Sequence, residues 1–227
     1  MPLATFRAAL ADASSPARAA HAVGYSPTAM RHLGVAVPDL RRVLRPLVLA
    51  QRARPDLDPV KSLWGSGVFE ERQAAYEILA AVPRLRRAMS RPEVLAMAEG
   101  NDNWCSVDTY ACYVLGPAWR EGLVHDDDIT TLSASTDRWK RRSALVATVA
   151  LNQKARGGKG DVGRTLAVCA QHVGDRDDMV EKALSWALRS CIEHDANAVA
   201  AFIADKPVSA RVRREVGNKL RTGLKNP

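Results

Sequence analysis

Three stretches of this 227-residue chain can be laid over one another, and that periodicity constrains the fold more than any other feature. FEERQAAYEIL from Phe69, WKRRSALVAT from Trp139 and MVEKALSWAL from Met179 share one pattern. Each carries a large apolar residue, two or three polar ones, a small-residue step and then an apolar stripe. Gln73, Asp108, Arg142 and Lys182 fall in equivalent places, separated by 35, 34 and 40 residues. A period of this length fits helix pairs of the HEAT or armadillo kind, each burying its apolar face on its neighbours. Elsewhere apolar positions also recur at helical spacing, and no β-branched run alternates between turn dipeptides. The expectation is an all-α, HEAT-like or armadillo-type solenoid with a concave basic groove, folded as one domain over 1–227.

Start and stop signals place the individual helices. Pro38-Asp39-Leu40 opens a basic amphipathic helix to about Arg52, and Asp58-Pro59 opens a short one through Trp64, ended by Gly65-Ser66-Gly67. A helix begins at Phe69-Glu70-Glu71 and runs to Ala81, with Pro83 beyond it. Ser90-Arg91-Pro92-Glu93 reads as a cap with an early proline and an acid. Further helices are predicted over 103–115, 127–133, 136–153, 161–172, 177–194, 196–204 and 208–222. Asp126-Asp127-Asp128 reads as an N-terminal helix cap rather than a metal site. Lys154 to Gly160 has the composition of a flexible loop; its Gly157-Gly158-Lys159-Gly160 lacks both Walker spacing and a preceding strand, which argues against nucleotide binding.

At 47% hydrophobic residues the chain can bury a core. No stretch approaches the length of an uncharged membrane span, and the start lacks a long apolar signal core, so the expected location is cytoplasmic, and the default assembly a monomer. Cys105, Cys112, Cys169 and Cys191 show no metal-ligand spacing and are expected as buried or half-buried thiols. The histidines form no ligand pattern. No metal is assigned and no cofactor is called for.

The net charge is +8, much of it in arginine runs at 84–87, 138–142 and 211–214. Such a balance suits a polyanion, because phosphate contacts come mostly from Arg and Lys; it equally suits solvated helix faces. Tryptophan narrows the choice. There are five Trp against four Tyr and three Phe, and three sit beside the repeat positions. Trp104 lies four residues before Asp108, so the indole and the carboxylate share a helix face. Trp139 lies three before Arg142, and Trp186 lies four after Lys182 and three before Arg189. Each taken alone reads as a core tryptophan; their recurrence next to charged residues points to a groove. Aromatic faces, one carboxylate and surrounding arginines suit cleavage of an N-glycosidic bond. The sugar becomes cationic, π faces and a carboxylate stabilise it, and arginines hold the phosphates on either side.

The same residues carry a family resemblance, running from about Tyr25 to about Leu220. His32-Leu33-Gly34-Val35-Ala36-Val37-Pro38 is followed by a basic helix. Leu63-Trp64 comes with Glu71-Arg72-Gln73-Ala74-Ala75, and Asn103-Trp104-Cys105-Ser106-Val107-Asp108 follows. Trp139 to Ala144 and Glu181 to Arg189 complete the series. In this order and spacing the chain resembles the bacterial DNA alkylation repair family, the AlkD-type glycosylases, which are built from HEAT-like repeats. The resemblance implies excision of cationic N3- or N7-alkylated purines from double-stranded DNA, leaving an abasic site, with no cofactor and no membrane. It puts the catalytic aspartate on Asp108, the two cleft tryptophans on Trp104 and Trp186, and a backbone-gripping arginine on Arg142, beside Arg141. Arg189 and Lys182 would add weaker backbone contacts, and Tyr25 would pack near the lesion. Two departures stand out. Cys105 replaces a second acid common in the family, and Ser26-Pro27 interrupts the helix that carries Tyr25. The alternatives are a non-catalytic repeat module that binds DNA and a protein scaffold; the second gives Asp108 no task, and the first would not need the Trp104–Asp108 pair.

Overall fold

A computed structural model describes all 227 residues, Met1–Pro227. It is all-helical, with no strand and one isolated bridge between Arg31 and Val68. No helix is long and apolar enough to cross a membrane. The chain forms two compact units, Met1–Val114 and Leu115–Pro227.

The first unit holds α1 (Leu3–Asp12), α2 (Pro16–Tyr25), α3 (Val37–Ala53), α4 (Asp58–Trp64), α5 (Phe69–Ala81), α6 (Pro83–Ala88), α7 (Arg91–Ala96) and α8 (Trp104–Tyr110). In α3 the buried residues are Leu40, Leu44, Leu47 and Gln51, a single stripe at helical spacing, while Arg41, Arg42, Arg45 and Arg52 are exposed. α3 packs on α1 and α5, and α5 packs also on α4 and α8. α5 is therefore covered on most sides, and its charged first turn is buried with it: Glu70, Glu71 and Arg72 are all below 9% exposed. Each is partnered, as burial requires. Glu70 accepts the backbone N–H groups of Leu33 (2.9 Å), Gly34 (2.7 Å) and Val35 (3.2 Å). Glu71 pairs with Arg7 at 2.8 Å, and Arg72 donates to the Glu99 carbonyl at 2.8 Å and to Asn101 at 3.2 Å. The loop that Glu70 gathers passes so close to α2 that only glycine fits at its centre. Gly34 has φ +75°, and a Cβ there would lie 2.2 Å from the Ser15 carbonyl oxygen.

The second unit holds α9 (Gly116–Arg120), α10 (Asp126–Ser133), α11 (Arg138–Asn152), α12 (Val162–Ala170), α13 (Asp178–Cys191), α14 (Ala196–Asp205) and α15 (Ala210–Thr222). α11 is its axis: every residue from Arg142 to Asn152 is buried, against α9, α10, α12 and α13. Aspartates open the helices here. Asp137, Asp161, Asp177 and Asp195 each accept a backbone N–H from the first turn that follows. Asn152 closes α11 with its side chain fully used, donating to the Thr148 carbonyl and Thr165 and accepting from the Asp161 amide.

Several expectations need adjustment. The helix expected over 103–115 continues through a π-helical stretch, Ala111–Leu115, into α9. Pro117 lacks an N–H and crowds the carbonyl four residues earlier, and the wider turn is how a helical run carries such a residue. Pro83 starts α6 instead of merely following α5. The 154–160 loop is held, not loose: the Lys159 and Gly160 amides both donate to the Leu151 carbonyl at 3.1 Å. A Cβ at Gly158 would come within 2.6 Å of that backbone, so glycine serves close approach here. Ser90 and Glu93 form the reciprocal cap their spacing suggests. Cys112, Cys169 and Cys191 are buried and Cys105 half-buried.

Two predictions follow from these buried polar groups. Glu70→Ala strands three backbone donors and should lower the unfolding free energy by about 3 kcal/mol or more, read by urea denaturation. The second concerns His172, which is 2% exposed. Burial, aided by nearby Arg141 and opposed by Asp175, pushes its pKa from 6.5 down to about 4. The folded state then keeps His172 neutral while the unfolded chain protonates it. Stability from this residue is thus intact above pH 6.5 and declines as the pH falls towards 4, by about 2–3 kcal/mol at pH 4.5. His172→Asn should reduce the loss of stability between pH 7 and pH 4.5 by that amount.

Candidate functional site

The residues singled out in the sequence divide between the two units. In the first, Asn103 caps α8, its side-chain oxygen accepting the Ser106 amide at 3.0 Å. Trp104 and Asp108 follow one turn apart on that helix, both half-buried and on the same helix face. Next to them stands Tyr25, 64% exposed at the end of α2. Its ring meets that of Trp104 edge to face, centroids 5.3 Å apart and planes at 80°. Such a pair contributes about 0.5–1.5 kcal/mol beyond its buried area. Gln73 is half-buried, and its amide nitrogen finds no protein partner.

What brings Tyr25 to Trp104 is the Ser26-Pro27 interruption itself. Ser26 is 3% exposed and its hydroxyl donates to Asn103 Oδ1 at 3.1 Å. Thr28 donates to Asp102, which also accepts the Ala29 amide at 2.6 Å. Burial would raise the Asp102 pKa, but the Ala29 and Thr28 hydrogen bonds outweigh it and hold the carboxyl below its ordinary value. Residues 26–29 are thus clamped to 102–103, directly before α8. The sequence marks Ser26-Pro27 only as a departure and Asn103 only as the start of a matching segment and helix, and it gives Asp102 no role. The Ser/Thr side chains after a helix end, set against an Asp-Asn pair at an N-cap, were the available signal.

In the second unit Arg142 is 6% exposed and donates to the Met179 carbonyl. Arg141 is committed locally, with Nε 2.7 Å from Asp175 and Nη1 donating to the carbonyls of Ser135 and Thr136. Lys182, in the repeat position, is exposed and paired with Asp178 at 2.7 Å. Trp186 and Arg189 line a common cavity of about 500 Å³. Arg189 Nε donates to the Ser185 carbonyl at 3.1 Å, and burial lowers its pKa against the opposing charge of Glu215. Glu193, four residues on, is paired with Lys154 at 3.0 Å.

The other tryptophans are distinguished by their partners. Trp64, Trp119 and Trp139 each carry an arginine over the ring: Arg72 at 5.3 Å, Arg164 at 4.8 Å and Arg138 at 4.8 Å. Trp119 also donates to Asp126 at 2.7 Å. Trp104 meets an exposed tyrosine and Trp186 lines a cavity with no arginine over its ring; Trp64 lines a cavity of its own, and of the five only Trp119 is fully buried.

The model of a family described as DNA alkylation repair enzyme matches residues 6–223. The chain belongs to the DNA alkylation repair family. Among solved structures it is similar to a predicted DNA alkylation repair enzyme from Enterococcus faecalis, at 17% identity and a TM-score of 0.72, over 92% of this chain and 97% of that one. At that identity the likeness speaks for a shared fold. No curated protein sequence matches the chain. Family membership makes DNA alkylation repair its role and DNA its partner.

The clamp makes a local prediction for this repair protein. Asp102→Ala should raise amide hydrogen exchange of Ala29 by about fivefold while α13 keeps its protection, since losing a charged acceptor of part-buried and exposed hydrogen bonds costs about 1 kcal/mol.

Proposed function

We propose that the protein is a DNA glycosylase that hydrolyses the N-glycosidic bond of cationic N3- or N7-alkylated purines in duplex DNA, leaving an abasic site. The observation that carries this reading is the α8 face: a half-exposed indole and a half-exposed carboxylate one turn apart, flanked by an exposed tyrosine ring. A base made cationic by alkylation departs as a neutral molecule, so no general acid is needed. The demand falls on the sugar, which becomes oxocarbenium-like as the bond breaks. Asp108 stabilises that charge and orients or deprotonates the attacking water. Trp104 and Trp186 supply π faces worth about 0.5–2 kcal/mol each to a neighbouring cation. Tyr25 packs near the lesion.

Backbone contacts belong to the basic residues. By the resemblance Arg142 holds a phosphate next to the lesion, from a guanidinium that is 6% exposed and shared with the Met179 carbonyl, and Arg189 contributes a second contact. Arg141 and Lys182 act at longer range, because each is already paired with an aspartate.

The test is release of free base from duplex DNA containing 7-methylguanine or 3-methyladenine. Asp108→Asn should slow release by at least about a hundredfold while leaving affinity for undamaged duplex near that of the wild type. Wild-type rates from Asp108→Asn would remove the catalytic assignment, and no release by the unaltered protein would leave a DNA-binding member of the family without this activity.

A further inference from the structure

The cavity beside Trp186 has a chemistry of its own. Besides the indole it is lined by Arg189, Ser190, Asn152, Glu193 and Lys219, the last from α15. Its one acid, Glu193, is matched at the rim by Lys154, 3.0 Å away. Two cations, Arg189 and Lys219, line this polar hollow; the Lys219 ammonium donates to the carbonyl of Gly223, which borders the cavity too, and a carbonyl leaves its positive charge in place, an arrangement that favours an anion.

Arg189 is not simply lying there. Behind it Ser185 is fully buried, accepting from Arg189 Nε at 3.3 Å and donating to Glu215 at 2.6 Å. Glu215 is itself 6% exposed. Burial opposes its charge, but the Ser185 hydroxyl and Lys225 hold its pKa below the ordinary value, so it remains an anion. The chain Glu215–Ser185–Arg189 fixes a guanidinium that would otherwise have several rotamers open to it. Lys225, 3.3 Å from Glu215, folds the C-terminal segment against the same place, and Asn218 donates to the Lys225 carbonyl at 3.2 Å. All of these groups lie in the second unit.

We propose that this cavity seats a phosphodiester of the DNA backbone, gripped by Arg189 and Lys219, and that Glu215 is a positioning residue acting on Arg189 through Ser185. The proposal rests on the repair reading for the identity of the polyanion, and it gives α15 a part in DNA binding. A dianionic free phosphate shares the recognising chemistry, so the experiment separates the two.

Binding of an undamaged duplex is measured by fluorescence anisotropy across a salt series, with a parallel series in which inorganic phosphate replaces chloride at constant ionic strength. Base excision plays no part in the readout, so a protein that releases no base can still pass. Lys219→Gln should weaken binding by about eightfold at 0.1 M salt and reduce the slope of log affinity against log salt by about one. Glu215→Gln should also weaken binding, although it removes a negative charge and long-range electrostatics alone would tighten it. In an Arg189→Gln background Glu215→Gln should have no further effect, whereas a merely structural role would add its loss in full. Thermal melting identifies any variant that fails to fold; Lys219 is half-exposed, and its substitution removes only the ammonium's bond to the Gly223 carbonyl at the end of α15. Wild-type affinity and slope in Lys219→Gln, or tighter binding in Glu215→Gln, would overturn the proposal. So would saturable binding of inorganic phosphate that Lys219→Gln abolishes while duplex affinity is the same with and without phosphate, since the cavity would then be a free-phosphate site that DNA does not enter.

Discussion

Each unit is organised around a helix with almost no face left for water. α5 has no fully exposed residue, and α11 is buried without interruption from Arg142 to Asn152. A helix in that position must be wrapped by others, and any polar group it carries must be partnered inside the protein. The consequences are the most specific contacts in the molecule. Glu70 draws three backbone amides of the 33–35 segment onto the first turn of α5, and Asn152 gathers the 153–161 loop onto the last turn of α11. Buried polar groups at helix ends thus decide where the neighbouring loops lie.

The boundaries of α4 and α5 were legible because chemistry marks both ends. Asp58-Pro59 is a helix start that few other conformations favour, and Gly65 to Gly67 is a stop. α1 and α2 left weaker traces. α1 buries only Phe6 and Leu10, and α2 buries nothing, so neither carries an apolar stripe long enough to announce itself. Pro83 and Pro117 were harder for another reason. Proline is both a helix breaker and a favoured first-turn residue, and which role applies depends on whether the backbone ahead can widen or restart.

The candidate site divides along the same line. Trp104 and Asp108 share one helix, so their spacing alone places them on one face, and that much follows from 3.6 residues per turn. Tyr25 reaches Trp104 only through the clamp of Ser26, Thr28 and Ala29 on Asp102 and Asn103, groups 73 to 77 residues apart in sequence. No local pattern encodes a hydrogen bond of that range. Lys182 illustrates the opposite error of emphasis. Its position in the repeat is equivalent to that of Arg142, yet Asp178, one turn earlier, has taken its charge. Periodicity reports where a residue sits on a helix and says nothing about which neighbour has already satisfied it.

Arginine has two separable uses here, and the difference explains how a chain can be both well tied and strongly cationic. Some arginines meet carboxylates: Arg7 with Glu71, Arg41 with Glu77 and Arg141 with Asp175. Each such pair is close to neutral from a distance. Others donate to the open carbonyls at helix ends: Arg52 to Ala81, and Arg213 to Ile203 and Lys206. Those carbonyls need donors and carry the negative end of the helix dipole, so a guanidinium is well suited to them. A carbonyl is not an anion, however, and an arginine that caps one keeps its full charge. The capping arginines therefore close the helices and at the same time leave a positive field, which is what a partner with one charge per phosphate requires.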